Sequence, residues 1–125
     1  MNRVVVTGLG ALTPIGNNLK EYTEGLQKGT SGACPITSFD PSKFKTHFAC
    51  EVKNFDPTDF LDRKEARKLD LFSIFALASA QEAFEDSGID TDKINKDRAG
   101  VIWGSGIGGI QSFQNEVTSF NKGDG

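Results

Sequence analysis

Cysteine and histidine are scarce in this chain. Two cysteines and one histidine stand at unrelated positions among 125 residues. That rules out a disulfide-stapled scaffold, and a reducing cytoplasm is the expected setting. Long hydrophobic runs are also missing. One long uncharged stretch, residues 4–19, is too short and too rich in Gly, Pro and Asn to cross a bilayer. Arg3 precedes it, but no small-x-small cleavage site follows and the stretch merges into a helix, so it is not a secretory signal. Positive charge is not in excess. A net charge of −3 gives no reason to expect nucleic-acid binding. What remains is an ordinary globular composition, 37% apolar and 25% charged, with ten phenylalanines against one Trp and one Tyr. Its length allows one domain with a real core.

The few reactive side chains do not combine into a site. Residues 44–53 alternate, which predicts a half-buried strand. Phe44, Thr46, Phe48, Cys50 and Val52 take one face, and Lys45, His47, Ala49, Glu51 and Lys53 the other. Residues an odd number apart point to opposite faces, so His47 faces water while Cys50 packs inward and is inert. They make neither a catalytic pair nor a metal site, since zinc needs further ligands. Cys34 precedes Pro35 in a loop with no base or helix start to activate its thiol. No metal or cofactor is expected. The tripeptide Phe-Asp-Pro occurs at 39–41 and again at 55–57, which reads as coincidence.

Two stretches share one plan. Val4, Val5 and Val6 form a β-branched run suited to a strand buried on both faces of a parallel sheet. Gly8 and Gly10 then let the backbone turn, and Pro14 and Gly16 delay the next helix. Asn18 and Glu21 have capping-box spacing; Leu19, Tyr22 and Leu26 mark a helical face that Lys28 and Gly29 close. Later, AGVIW at 99–103 predicts a second short strand. GSGIGG follows at 104–109, and then Ile110, Phe113, Val117 and Phe120 mark another helical face. Gly104, Gly106 and Gly109 satisfy the dinucleotide-binding pattern G-x-G-x-x-G, so a nucleotide module is an alternative. Against it, the acidic ribose partner belongs about 20 residues further on, past Gly125, and Thr13 stands where the first turn would need a third glycine.

Between these stretches the pattern predicts one long helix over 62–87. Asp62 and Glu65 have cap spacing, Gly88 supplies the stop, and 71–80 is apolar nearly all round. Ala76, Ala78, Ala80 and Ala83 would allow close approach. In its first turns Arg63, Lys64, Arg67 and Lys68 fall within an arc of roughly 140°, with Ala66 and Leu69 opposite. Cations there oppose the helix dipole. A broken local rule marks a functional patch; the alternative is a solvated face partly neutralised by Glu65 and Asp70.

VVVTGLGALTPIGN at 4–17, RKEARKLD at 63–70 and GSGIGG at 104–109, in that order, resemble the start of a β-ketoacyl-[acyl-carrier-protein] synthase, and the type II synthases most closely. These are condensing enzymes of the thiolase-like group. The resemblance implies an α/β, layered α-β-α-β-α fold with a mainly parallel sheet, of which 1–125 would be an incomplete N-terminal part. It implies fatty-acid chain elongation by decarboxylative Claisen condensation of an acyl-enzyme with malonyl-carrier. Lys64, Arg67 and Lys68, with Arg63 beside them, would dock the acidic acyl carrier protein. Ile107, between Gly106 and Gly108, would gate the acyl pocket. Trp103 is larger than such enzymes usually carry there, which would alter the pocket's shape. The full-length enzyme would be a cytoplasmic homodimer. The nucleophilic cysteine and two histidines of such enzymes come later in the chain. Residues 1–125 therefore hold no catalytic residue, are expected to be inactive alone, and stop in a glycine-rich loop, NKGDG, at 121–125. A finished carrier-docking module without chemistry is a third reading, opposed by the sheet edges and apolar helix faces it would leave uncovered.

Overall fold

Four α-helices and one short pair of strands make up most of the regular structure of residues 3–123, the part that the computed structural model describes. Helix α1, Leu19–Gln27, starts where the capping pattern predicts. The Asn18 side chain accepts the Glu21 N–H at 2.8 Å. Glu21 answers one residue earlier than expected, accepting the Asn17 N–H at 2.8 Å. A tight turn precedes the helix, with Thr13 and Gly16 exchanging two backbone hydrogen bonds. Gly29 leaves the helix at φ 63°, a conformation glycine adopts without strain.

The helix predicted over 62–87 is two helices. Helix α2, Arg63–Ala66, is a single turn capped by Asp62, whose carboxylate accepts the Lys64 and Glu65 N–H groups at 2.7 and 3.1 Å. Helix α3, Leu71–Ser87, restarts after Asp70, whose ψ of 150° is extended rather than helical. A continuous helix would place Asp70 mid-helix. Its extended backbone instead turns the carboxylate away from α3, where it makes no cap bond, toward the hydroxyl of Ser112. Helix α3 ends at Gly88 in the left-handed conformation. It carries the core: Ile74, Ala76 and Ala78 are the buried apolar residues among those described. Helix α4, Ile110–Lys122, ends at Gly123; residues 124 and 125 of the predicted terminal loop lie outside the described residues.

The strand predicted over 44–53 is reduced to β2, Phe48–Ala49, paired antiparallel with β1, Cys34–Pro35. Its faces do not divide as the alternation predicts, although Lys45, His47 and Lys53 are exposed and Val52 is half-buried as expected. Phe44, Phe48 and Cys50 are exposed, while Ala49 and Glu51 are half-buried. The ladder and a polar network set this phase. Ala49 O accepts the Cys34 thiol at 3.6 Å, and the Glu51 carboxylate accepts the N–H and hydroxyl of both Thr37 and Ser38 at 2.6–3.2 Å. These bonds, the Ser38 hydroxyl first, hold the Glu51 carboxyl down to about 2. Cys50 is thus a solvent-facing thiol, not a packed one.

Residues 4–6 and 99–103 join no ladder among the described residues. A strand needs a neighbour to complete its hydrogen bonds, and a β-branched run alone does not supply one. Val4 is 91% and Ile102 100% exposed. The parallel sheet expected from the sequence is therefore not assembled within 3–123.

The two Phe-Asp-Pro tripeptides belong to a longer repeat. Residues 39–44 and 55–60 both read Phe-Asp-Pro-Ser/Thr-x-Phe. In each, Asp accepts the N–H two residues on, Ser42 at 3.0 Å and Thr58 at 2.8 Å, as well as that residue's hydroxyl. The proline carbonyl accepts the closing Phe N–H, and the two rings stand 5.5 Å apart. Coincidence in sequence is here one turn built twice. Phe55 also packs edge-on against Phe75 of α3 at 5.3 Å.

Candidate functional site: two glycine turns and a basic turn

Helix α3 presents Ser79, Ala83 and Ser87 in one row at i, i+4 and i+8, and the first glycine turn lies in it. A Cβ on Gly8 would meet the Ala83 carbonyl and come within 2.6 Å of Ser87 N; one on Gly10 would meet the Ser79 carbonyl and come within 2.8 Å of Ala83 N. Two carboxylates of α3 fix the same segment. Glu82 accepts the N–H of Ala11 at 2.8 Å and of Leu19 at 2.7 Å, and Asp86 accepts that of Leu9 at 2.9 Å. Sequence reasoning missed Glu82 and Asp86. The available signal was their i, i+4 spacing beside a row of small residues, where a close backbone would need acceptors.

The segment before the second glycine turn approaches the same helix. Val101 and Trp103 line one cleft with Val6, Gly8, Ala83 and Phe84. The loop itself is open: Gly104 and Gly106 have nothing within 4 Å of a built Cβ, and Ile107 is 75% exposed. Gly108 adopts φ 72° just before α4 begins.

Arg63, Lys64, Arg67 and Lys68 are all exposed, but not on one helical face. Arg63 and Lys64 lie in the single turn of α2, Arg67 is its C-cap, and Lys68 follows, its ammonium 2.7 Å from Glu65. The conflict with the helix dipole disappears, because in a one-turn helix these cations also sit in the last turn, where the dipole favours them. Asp70 forms no ion pair with them among the described residues. Its carboxylate accepts the Ser112 hydroxyl and lies against Gly109. The end of the basic turn and the end of the glycine loop are thus in contact, with Leu69, Leu71 and Phe72 facing Gly108, Ile110 and Gln111 across a shallow depression. His47 is exposed, its Nε2 2.7 Å from the Phe44 carbonyl oxygen, and Cys34 is half-buried on the other strand.

The N-terminal domain of beta-ketoacyl synthases matches residues 1–124. The chain belongs to the beta-ketoacyl synthase family. It is 49% identical over 116 residues to a 3-oxoacyl-[acyl-carrier-protein] synthase 2 of Synechocystis, covering 93% of this chain and 28% of that protein. A protein of the same name from Coxiella burnetii is 50% identical over 108 residues, covering 86% and 26%. Among solved structures, the ishigamide ketosynthase/chain length factor superposes with a TM-score of 0.83 at 32% identity, covering 96% of this chain and 30% of that one. AntDE:AntF, a type II PKS acyl-carrier protein in complex with its ketosynthase, gives 0.73 at 29% identity, covering 97% and 31%. These matches show the α/β, thiolase-like fold. The chain spans between 26% and 31% of the length of these four proteins. Because the beta-ketoacyl synthase match includes 104–109, GSGIGG is a loop of that domain, and the dinucleotide-binding alternative falls away.

Proposed function

We propose that this chain is the N-terminal part of a fatty-acid chain-elongating condensing enzyme, an acyltransferase joining an acyl-enzyme to malonyl-carrier. The observation that carries the reading is the family match across 1–124, which includes both glycine turns and the basic turn. Arg63, Lys64, Arg67 and Lys68 form the docking surface for the acidic carrier protein, and Gly106, Ile107 and Gly108 form the mouth of the acyl pocket. Their exposure and the local positive charge on an acidic chain support the first role. An exposed branched residue among unpacked glycines supports the second. The nucleophile and its histidines lie outside these residues, so this part alone is inactive. Val4, Ile102, Phe113 and Phe120 are largely exposed, an apolar surface that the rest of the enzyme covers. The whole enzyme works in the cytoplasm as a homodimer.

The test uses the whole enzyme with Lys64, Arg67 and Lys68 all changed to Glu. Exposed contacts are weak singly, so the triple change should lower carrier-dependent kcat/KM by about tenfold, with any single change giving about twofold. The loss should shrink as salt rises. Turnover of a carrier-free thioester should be unchanged; an equal loss with both substrates would overturn the docking assignment.

A further inference from the structure

Asp70 occupies the N-cap of α3, where a carboxylate ordinarily accepts a backbone N–H of the first turn. It makes no such bond. Instead its Oδ1 accepts the Ser112 hydroxyl, 42 residues away, and its carboxyl group fills the space beside Gly109, where any side chain would collide with it. Gly109 is the N-cap of α4 and brings no capping side chain of its own, and Ser112 belongs to the first turn. Asp70 therefore supplies the negative charge at the start of α4 that Gly109 cannot.

The location of this contact matters. Arg67 and Lys68 stand just before Asp70, and Ile107 and Gly108 just before Gly109. Upstream, Gly104 and Gly106 meet no neighbour. An open glycine loop keeps its place only where its ends are held, and its downstream end is held here. We propose that Asp70 is a positioning residue: through Ser112 and Gly109 it fixes the glycine loop against the basic turn and so sets where Ile107 stands. This rests on the reading of Ile107 as the gate of the acyl pocket.

The experiment uses the whole enzyme and carrier-free substrates, so docking plays no part. Hexanoyl and myristoyl thioesters of N-acetylcysteamine are compared by the ratio of their kcat/KM values. Ser112→Ala should shift that ratio by about fivefold, the size of one net hydrogen bond, with little change in the unfolding midpoint. Ser112→Thr, which keeps a hydroxyl, should restore it. Asp70→Asn should move the ratio in the same direction, and combining it with Ser112→Ala should add less than the two separate shifts. Ile107→Ala should shift the ratio itself and abolish the further effect of Ser112→Ala. If Ile107→Ala moves the ratio but Ser112→Ala lowers both substrates alike or neither, the role of Asp70 is overturned while the pocket reading stands. If Ile107→Ala leaves the ratio unchanged, both fall.

Discussion

Gly8 and Gly10 lie against the backbone of α3, whereas Gly104 and Gly106 have nothing within 4 Å of where a side chain would begin. The sequence around them is similar: a β-branched apolar run, spaced glycines, then a helix. In the first turn the missing side chain is a packing requirement, and Glu82 and Asp86 hold the backbone in place. In the second, Gly109 alone of the loop's glycines has a neighbour from 3–123 within 4 Å of where a side chain would begin. A glycine-rich motif thus serves close approach in one place and is left open by residues 3–123 in the other, and its spacing does not tell which.

Substitution separates the two. Gly10→Ala should destabilise most, by about 1–3 kcal/mol, because the helix backbone it meets cannot move aside as a flexible side chain could. The unfolding midpoint in denaturant measures it; a neutral result would mean the first turn is as open as the second. Glu82→Ala should come next, at about 1–2 kcal/mol, since the part-buried amides of Ala11 and Leu19 lose their acceptor. Faster hydrogen exchange at those two amides would show the same loss locally, and unchanged exchange would mean packing alone holds the turn. The smallest effects belong to the second turn. Gly108→Ala should cost about 1 kcal/mol for its positive φ, and Gly106→Ala should stay within about 0.5 kcal/mol. Comparable losses at Gly106 and Gly10 would erase the distinction.

The helix ends could be read because their causes are local. Asn18, Asp62, Gly29 and Gly88 all act where the sequence places them. The two β-branched runs join no ladder within 3–123, because a strand also depends on a neighbour and these residues offer them none. The long helix misled because hydrophobic periodicity continued through Leu69 and Leu71 while Asp70 left the helix to reach Ser112. The candidate site was legible as residue types: four exposed cations, and a glycine loop carrying Ile107. Their junction was not, because Asp70 and Ser112 meet only in three dimensions.

The doubled Phe-Asp-Pro-Ser/Thr-x-Phe turn bears on the order of events in folding. Every contact within each copy spans at most six residues, so closure carries little entropic cost and runs on the scale of about 10–100 ns known for ten-residue loops. During synthesis, at about 5–20 residues per second, the first copy is complete long before α3 exists. The second closes its own ring pair equally early, then waits some fifteen further residues for Phe75 to arrive and anchor it. Two copies of one turn, their rings edge-on in the first and stacked in the second, thus enter folding at the same speed and leave it at different times, one as a surface turn and the other as the seat on which the central helix settles.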